Sequence, residues 1–340
     1  MNKDLLAKAT KNVTDIIAIA IEHKPKEKAL VVYDTRYGLT NILTSAYRTA
    51  LPDTRFVDFD KVSKDEVISA FDEMNPGDLV VLIQSSNFLL DAFRIRLHLF
   101  NKKLKVIEHL HLHRNTEDVW DVYVNSLEYD TAWYRGTGPK LKARLENTGE
   151  LRIQSGQLEK MTELVVTSGL ESPKLNIGDY TGMENIGGTF PIGEVFTEAK
   201  DFSKMNGSFM CYAYAGSDFS IDMHEPFRVD VAEGLVVSWG KNAPESFGKI
   251  ISNIKEFERP IIREIGFGLN RAITRERFVQ DITAFERILG MHFSLGEKHS
   301  VFKKEGITAH KAKFHVDVFP LVDRVLADGE VIFENGKYLV

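Results

Sequence analysis

The sequence contains little of what several protein classes require. Its one cysteine, Cys211, excludes an internal disulfide framework and a cysteine-based zinc site, as is typical of the reducing cytoplasm. Cys211 lies in the aromatic run SFMCYAYAG, which favours a small buried residue over a catalytic thiol. The net charge of -6 opposes non-specific nucleic-acid binding, which needs a basic surface.

Long apolar runs are also lacking. Segments such as DIIAIAIE are too short to span a bilayer, and the N-terminus has no apolar core or cleavage site of a signal peptide. Neither a P-loop nor a GxGxxG sequence is found. We therefore expect a soluble cytoplasmic protein that binds neither membranes nor nucleic acids.

The first part of the chain alternates between helical and strand-like segments. Strands are predicted at residues 29–33, 56–59, 79–84 and 104–107, and helices at 4–23, 41–50, 64–74 and 88–101. Ser63 and Glu66 have the spacing of a capping box at the start of the third helix. This alternation predicts βαβ units and a Rossmann-like parallel sheet.

From about residue 165 the sequence becomes rich in short strand-like segments with glycine at the turns. Hairpins are predicted at Glu233-Gly234 and Asn335-Gly336, and helices at 246–257 and 274–289. The polar stretch at 145–160 marks the predicted boundary. The fold class is therefore predicted as α/β, with an N-terminal α/β domain (1–150) and a C-terminal mixed α+β domain (151–340) that binds metal.

Side chains that can ligate a metal are concentrated in the last part of the chain. They are Glu194 in PIGEVFTEA, Glu264 in EIGFGLN, His292 and His299 in GMHFSLGEKHS, and His315 and Asp317 in FHVDVF. Bulky apolar residues flank most of them, and buried polar groups need partners, of which a metal is one. Taken alone, an HxD pair is more often the solvent face of a strand, and Glu264 could equally be a cap or a surface ion pair.

Three carboxylates and up to three imidazoles suit two divalent cations that activate a water for hydrolysis. A single Fe(II) would need two histidines and one carboxylate on one face. In a strand, His315 and Asp317 would project to the same face because alternate residues do so.

Four other histidines in the first and last parts of the chain are further candidates for metal or substrate binding. His109, His111 and His113 alternate in EHLHLHRN, which would place them on one face at the end of a strand. They predict a substrate-binding wall or a second metal site, although an exposed sheet edge explains them slightly better. His310 is interpreted as a surface or rim residue.

The ligand segments resemble those of the M29 metallopeptidases, the aminopeptidase T/S group. PIGEVFTEA is similar to that family's P-x-x-EVFTAP segment, EIGFGLN to AELGIGTN, MHFSLG to IHIALG, and HVD to its H-x-D segment. The resemblance spans about 125 residues, and it implies that five residues bind metal: Glu194, Glu264, His292, His315 and Asp317. It also implies a homodimeric aminopeptidase that cleaves short peptides with two Zn, Co or Mn ions.

One position departs from the family pattern. His299 stands seven residues after His292, where the family has a tyrosine ligand. We interpret His299 as a sixth ligand or as a donor to an oxyanion. Glu194, Glu264 and His299 are therefore the catalytic candidates.

Two alternatives remain open. The chain also resembles the 2,5-dihydroxypyridine dioxygenases in length and in the H-x-D segment, which implies one Fe(II) held by His292, His315 and Asp317. Those enzymes use a histidine where this chain has Glu264, so the carboxylate favours hydrolysis. The third hypothesis is a non-catalytic binding or maturation protein on the same fold.

Overall fold

The protein is represented by a computed structural model that describes residues 3–90, 94–156, 161–299, 301–307 and 311–340. His310 lies outside these residues, so its predicted position at the surface is not addressed. Within the described ranges, none of the helices combines the length and apolar character that a membrane crossing would require.

The helices and strands are numbered along the chain. The α-helices are α1 Lys3–Asp15, α2 Gly38–Ala50, α3 Lys64–Asp72, α4 Ile95–Asn101, α5 Trp120–Ser126, α6 Thr131–Glu146, α7 Glu245–Phe257 and α8 Ile282–Phe285. A π-helical turn, Ile16–Ala20, continues α1. The strands are β1 Ala29–Tyr33, β2 Arg55–Asp58, β3 Leu79–Ile83, β4 Lys105–His109, β5 Leu151–Ser155, β6 Thr162–Val166, β7 Lys174–Asn176, β8 Gly187–Thr189, β9 Glu194–Thr197, β10 Met205–Ala215, β11 Ile221–Ala232, β12 Leu235–Trp239, β13 Ile262–Gly268, β14 Gly290–Leu295, β15 Val316–Leu321, β16 Arg324–Ala327, β17 Glu330–Glu334 and β18 Lys337–Tyr338.

The first compact unit contains a parallel sheet in the order β2-β1-β3-β4-β8. The first four strands are those predicted from the alternating pattern, and β3 is buried at every position. The capping box is also present: Glu66 N donates to Ser63 Oγ at 3.3 Å, and Ser63 N donates to Glu66 Oε2 at 2.8 Å. The α/β fold class is confirmed.

The helix predicted at 274–289 is wrong over most of its length, since only Ile282–Phe285 is helical. In this segment, side-chain oxygens accept hydrogen bonds from backbone N–H groups that would bond to backbone carbonyls in a helix. Gln280 N donates to Asn115 Oδ1 at 3.1 Å, and Thr283 N donates to Asp281 Oδ1 at 3.0 Å. Such side-chain bonds compete with helix formation. The helix predicted at 88–101 is also shorter than expected, because α4 begins at Ile95.

The second compact unit contains an antiparallel sheet in which β18-β17-β16-β5-β6-β10-β15-β14-β13-β9-β7 follow one another. Strands β11 and β12 extend from β10. Both predicted hairpins are found, between β11 and β12 and between β17 and β18. Phe209 and Phe293 meet edge to face inside this unit, with ring centroids 5.1 Å apart.

The two units are interleaved along the sequence. The first consists of residues 1–135, 177–193 and 270–285, and the second of 136–176, 194–269 and 286–340. The sequence prediction instead places one boundary at residue 150. The difference arises from tertiary pairing: β8 joins the parallel sheet beside β4, about eighty residues before it in the chain, and no local pattern reports such a pairing.

Candidate metal centre

Four of the predicted ligands lie on four strands that run side by side in the second unit. Glu194 begins β9, Glu264 lies in β13, His292 in β14 and Asp317 in β15. Glu264 is paired with Ser294, and Ser294 is paired with Asp317. His292 lies two residues before Ser294 and therefore points to the same face. Strand register thus brings together residues that are more than a hundred positions apart.

Gly266 in β13 makes room for the His292 side chain, whereas Gly268 lies against the backbone carbonyls of Arg287 and Ile288. Gly266 is paired with His292, and Gly268 is paired with Glu194. A Cβ atom on Gly266 would lie 2.1 Å from His292 Cε1, so only glycine allows the imidazole to lie over the strand. Glu264 therefore lies inside a strand, since β13 continues through both glycines.

Glu264 links two imidazoles in the buried centre. Its Oε1 lies 3.0 Å from His292 Nε2, and its Oε2 lies 2.9 Å from His299 Nε2. Glu194 Oε1 is 3.2 Å from His292 Nε2, an ion-pair distance. His292 is completely buried, and Glu194 and Glu264 are only 4% and 6% exposed.

Burial and neighbouring charges shift the protonation of this group in opposite directions. Burial by itself raises the pKa of Glu264, but hydrogen bonds from His292 and His299 hold the pKa well below its usual range. Burial lowers the pKa of His292, yet the carboxylates of Glu194 and Glu264 raise it well above the usual value. The imidazole therefore holds a proton where a cation could bind, and metal binding would release that proton.

The donor atoms lie close enough together to form a cation site. Ligand atoms of Glu194, Glu264 and His292 all lie within 4.8 Å of one another, and so do those of Glu286, His292 and Asp317. His292 Nδ1 has no hydrogen-bond partner, and Glu194 Oε1 and Asp317 Oδ1 have only an imidazole at an ion-pair distance of 3.2 Å, without hydrogen-bond geometry. Unsatisfied buried acceptors are costly, and a divalent cation would satisfy them. This cluster can hold a metal ion.

The other two predicted ligands lie beside the cluster. His315 Nδ1 donates to Lys298 O at 3.0 Å, and His315 Nε2 is 3.2 Å from Asp317 Oδ1, so the HxD pair does converge. Burial lowers the pKa of His315, but the charge of Asp317 raises it to about 10. The rings of His299 and His315 are 5.9 Å apart.

His299 and His315 belong to neither of the two ligand groups that the described residues form. The two histidines and one carboxylate of the iron alternative, His292, His315 and Asp317, consequently do not form a single group within 4.8 Å.

Sequence reasoning missed Arg287 and Glu286. Arg287 pairs with Glu194 Oε2 and with Glu286 Oε1, the latter at 2.8 Å, although its guanidinium is only 9% exposed. Burial raises the pKa of Glu286 to about 8, against the opposing charge of Arg287. In the sequence both residues look like part of a solvated helix face, and no local signal separates them from one.

Sequence reasoning also missed Glu198 and Arg263. Glu198 accepts hydrogen bonds from Arg263 and His299 and is completely buried. Alternation along the strand from Glu194 could have found Glu198, since residues 194, 196 and 198 share a face. Arg263 carried no such signal.

The three alternating histidines do not form a metal site. His109 is wholly buried and bonded to two tyrosine hydroxyls, at 2.8 Å from Tyr47 and 3.0 Å from Tyr123. Burial lowers its pKa to about 3, so it is a neutral core residue. The expected shared face is wrong, because His111 has a left-handed backbone (φ 50°) that ends the alternation. His111 pairs instead with Asp281 at 2.9 Å, and the Nδ1 of His113 bonds to a backbone carbonyl.

Comparisons with known proteins give a likeness in fold to a solved structure. No protein-family model matches the chain, and no curated protein matches it. Among solved structures, wild-type AmpT from Thermus thermophilus has a similar fold, with a TM-score of 0.59 over 98% of this chain and 99% of that chain. The sequence identity is 12%, so the likeness concerns the fold alone. The fold that the M29 resemblance implies is thereby confirmed, and the chain has an AmpT-like fold.

Proposed function

We propose that the protein is a metal-dependent hydrolase, an aminopeptidase that removes N-terminal residues from short peptides. The observation that carries the proposal is the convergence of Glu194, Glu264 and His292 in a buried group whose ligand atoms all lie within 4.8 Å of one another. The AmpT-like fold supports the same class of reaction. Each motif match is weak alone. The pairing of the neighbouring strands β9, β13, β14 and β15, which carry four of the motif residues, supports the interpretation that these residues form one site.

We further propose that two divalent ions, of Zn, Co or Mn, are held by six residues: Glu194, Glu264, His292, His299, His315 and Asp317. The two ligand groups together supply four carboxylates around His292, those of Glu194, Glu264, Glu286 and Asp317, and this number of anionic ligands supports two ions rather than one. When bound, such ions polarise a carbonyl and lower the pKa of water. The guanidinium of Arg287 pairs with Glu194 and Glu286 and offsets only part of the negative charge of these carboxylates.

Arg287 and Glu286 then have different roles beside the metal ligands. Arg287 fixes Glu194 by pairing with its second oxygen, and this leaves Glu194 Oε1 directed at the ligand group. Glu286 is the best-placed proton carrier, because its side chain is 18% exposed whereas those of Glu194, Glu264 and Asp317 are 5–8% exposed. It can exchange protons with solvent, as a general base and acid must.

The test is metal analysis of protein purified without chelator, followed by a peptide screen. Glu264→Gln removes one ligand with little change of shape. Glu108→Gln is the matched control, since Glu108 is also a buried glutamate (7% exposed) but lies in the first unit. We expect about two equivalents of Zn, Co or Mn per chain, lost from Glu264→Gln and kept by Glu108→Gln, together with release of N-terminal residues from peptides.

Other outcomes would redirect the assignment. About one equivalent of iron would support the ring-cleaving dioxygenase. Absence of metal from the wild-type protein, even after reconstitution, would refute both enzyme hypotheses and leave the binding or maturation role. Metal without peptide hydrolysis would refute the aminopeptidase alone.

A further inference from the structure

Glu198 is a buried carboxylate with bonds on two sides. Its Oε1 accepts hydrogen bonds from Arg263 Nε at 3.1 Å and from Arg263 Nη2 at 2.8 Å. The same oxygen accepts a short hydrogen bond from His299 Nδ1. The side chains of Glu198 and Arg263 are 0% and 1% exposed. A fully buried ion pair is costly to form, so its position beside a metal cluster needs an explanation.

The backbone of β9 and β13 places Glu198 and Arg263 next to Glu264. Continuing the pairing of β9 with β13 by one position beyond Thr197 places Glu198 beside Glu264. A register shift in β13 between Ile262 and Glu264 marks an irregularity at Arg263. Such bulges redirect side chains and are frequent next to active sites.

Arg263 is itself anchored. Its Nη1 donates to Glu297 O at 2.7 Å, and its Nη2 donates to Phe302 O at 3.2 Å. The guanidinium therefore holds Glu198 from a fixed position. The rings of Phe196 and Phe302 flank the imidazole of His299, with centroids 6.0 and 5.5 Å away.

We propose that Glu198, held by Arg263, is a positioning residue for His299: it accepts the Nδ1 proton and so directs Nε2 at Glu264 and at the metal. The inference rests on the proposed metal centre. A histidine that binds metal through one nitrogen commonly donates from the other to a carboxylate, and this fixes its tautomer and ring orientation. The His299 geometry matches, with Nδ1 on Glu198 and Nε2 at 2.9 Å from Glu264 Oε2.

A purely structural ion pair predicts a different result. In that case, removing Glu198 and Arg263 together would change stability and leave metal affinity alone, since buried pairs can be replaced by apolar residues without loss of fold. The decisive variant is therefore the double substitution Glu198→Met with Arg263→Met. Its matched control is Glu27→Met with Lys105→Met, which removes a largely buried pair (2.8 Å) in the first unit.

The measurement is Zn²⁺ affinity by chelator competition on the full chain, with the Co²⁺ absorption spectrum as a second readout. We expect the Glu198/Arg263 double variant to bind Zn²⁺ about 10- to 100-fold more weakly and to show an altered Co²⁺ spectrum. Glu198→Gln keeps an acceptor for the Nδ1 proton and should largely restore both. In a His299→Ala background, the double substitution should cause no further loss, because Glu198 acts through that ring.

Glu198→Asp covers the case in which the double variant does not fold. It retains a negative charge near Arg263, but the shorter side chain withdraws the accepting oxygen from both Arg263 and His299, so weaker Zn²⁺ binding and a changed Co²⁺ spectrum are expected. Zn²⁺ affinity and a Co²⁺ spectrum that match the wild type in the double variant, or in Glu198→Asp where the double variant does not fold, would overturn the inference.

Two further outcomes separate this inference from the proposed function. An equal loss of affinity in the Glu27/Lys105 control would overturn the positioning role, because it would trace the effect to general destabilisation. Tight, Glu198-dependent Zn²⁺ binding without peptide hydrolysis would refute the aminopeptidase and leave the positioning role in place.

Discussion

Replacement of Gly266 by alanine tests the centre without removing any ligand. The new Cβ would lie 2.1 Å from Cε1, 2.4 Å from Nε2 and 2.6 Å from Nδ1 of the His292 ring. Carbon atoms in contact rest about 3.5–4.0 Å apart, so the ring must move by more than about 1 Å. Metal–nitrogen bonds of about 2.0–2.1 Å tolerate errors of roughly 0.2 Å, so His292 could no longer bind in place.

The expected magnitude follows from the loss of a whole ligand. Losing a partner that merely orients a ligand costs about 10- to 100-fold in metal affinity, and Gly266→Ala should cost at least that much. Overpacking of the sheet should also destabilise the metal-free protein by about 1–3 kcal/mol. Both quantities are accessible, by Zn²⁺ competition and by denaturant unfolding in the presence of chelator.

Gly136→Ala is the matched control, because a Cβ there has no atom within 4 Å. Gly136 lies in α6, where alanine should stabilise the helix by about 0.5–1 kcal/mol. A folded Gly266→Ala protein that binds Zn²⁺ as tightly as the wild type would refute the placement of His292 at the metal. An equal loss in Gly136→Ala would show that the effect is not local.

Three further perturbations follow from the same structure. Glu286 has a folded pKa of about 8 against 4.5 when unfolded, so the folded state binds the extra proton and stability falls as pH rises between these values. Glu286→Gln should flatten that decline, which is at most about 1.4 kcal/mol per pH unit, in chelator-treated protein. Arg287→Met leaves the Glu194 and Glu286 carboxylates unpaired, and should cost the metal-free protein about 3–5 kcal/mol, part of which Zn²⁺ restores. Ser63→Ala removes the cap that bonds Glu66 N, and should lower the unfolding free energy by about 1 kcal/mol with no effect on metal binding.

Each of these has a clear contrary result. An unchanged pH profile in Glu286→Gln would show that this carboxyl is not the group that holds the proton. Equal effects of Zn²⁺ on Arg287→Met and on the wild type would separate Arg287 from the metal centre. Weaker Zn²⁺ binding by Ser63→Ala would mean that general stability, rather than ligand geometry, controls the affinity.

The parts of the fold that could be predicted are those that depend on residues close together in the sequence. Strands β1 to β4 were predicted because short apolar runs alternate with helical periodicity and turn residues, and the cap at Ser63 was predicted from its spacing to Glu66. The segment at 274–289 was predicted as a helix on the same grounds, but contacts with Asn115 and Asp281 displaced its backbone bonds. Propensity is a weak guide where tertiary hydrogen bonds compete with it.

The residues of the candidate metal centre likewise fall into those that the sequence indicates and those that it does not. Glu194, Glu264, His292 and the HxD pair could be singled out because polar ligand types stand among bulky apolar neighbours. Arg263 and Arg287 could not, because a charged residue in a mixed segment has the same appearance whether it is solvated or buried against a partner. The prediction that His109, His111 and His113 share one face of a strand was wrong for a different reason. The local pattern was regular, but the left-handed backbone at His111 ends the strand alternation.

The sequence by itself determined which side chains can ligate a metal and that most of them belong to strands, because residue type and alternation are local properties. Only the tertiary structure decided that β9, β13, β14 and β15 are neighbours, that Gly266 admits the His292 ring, that Arg287 pairs with Glu194, and that Glu198 bonds His299. The physical reason is that strand register is fixed by hydrogen bonds between segments far apart in the chain. Protonation also depends on that arrangement, since burial and opposing charge act only once the groups have been brought together.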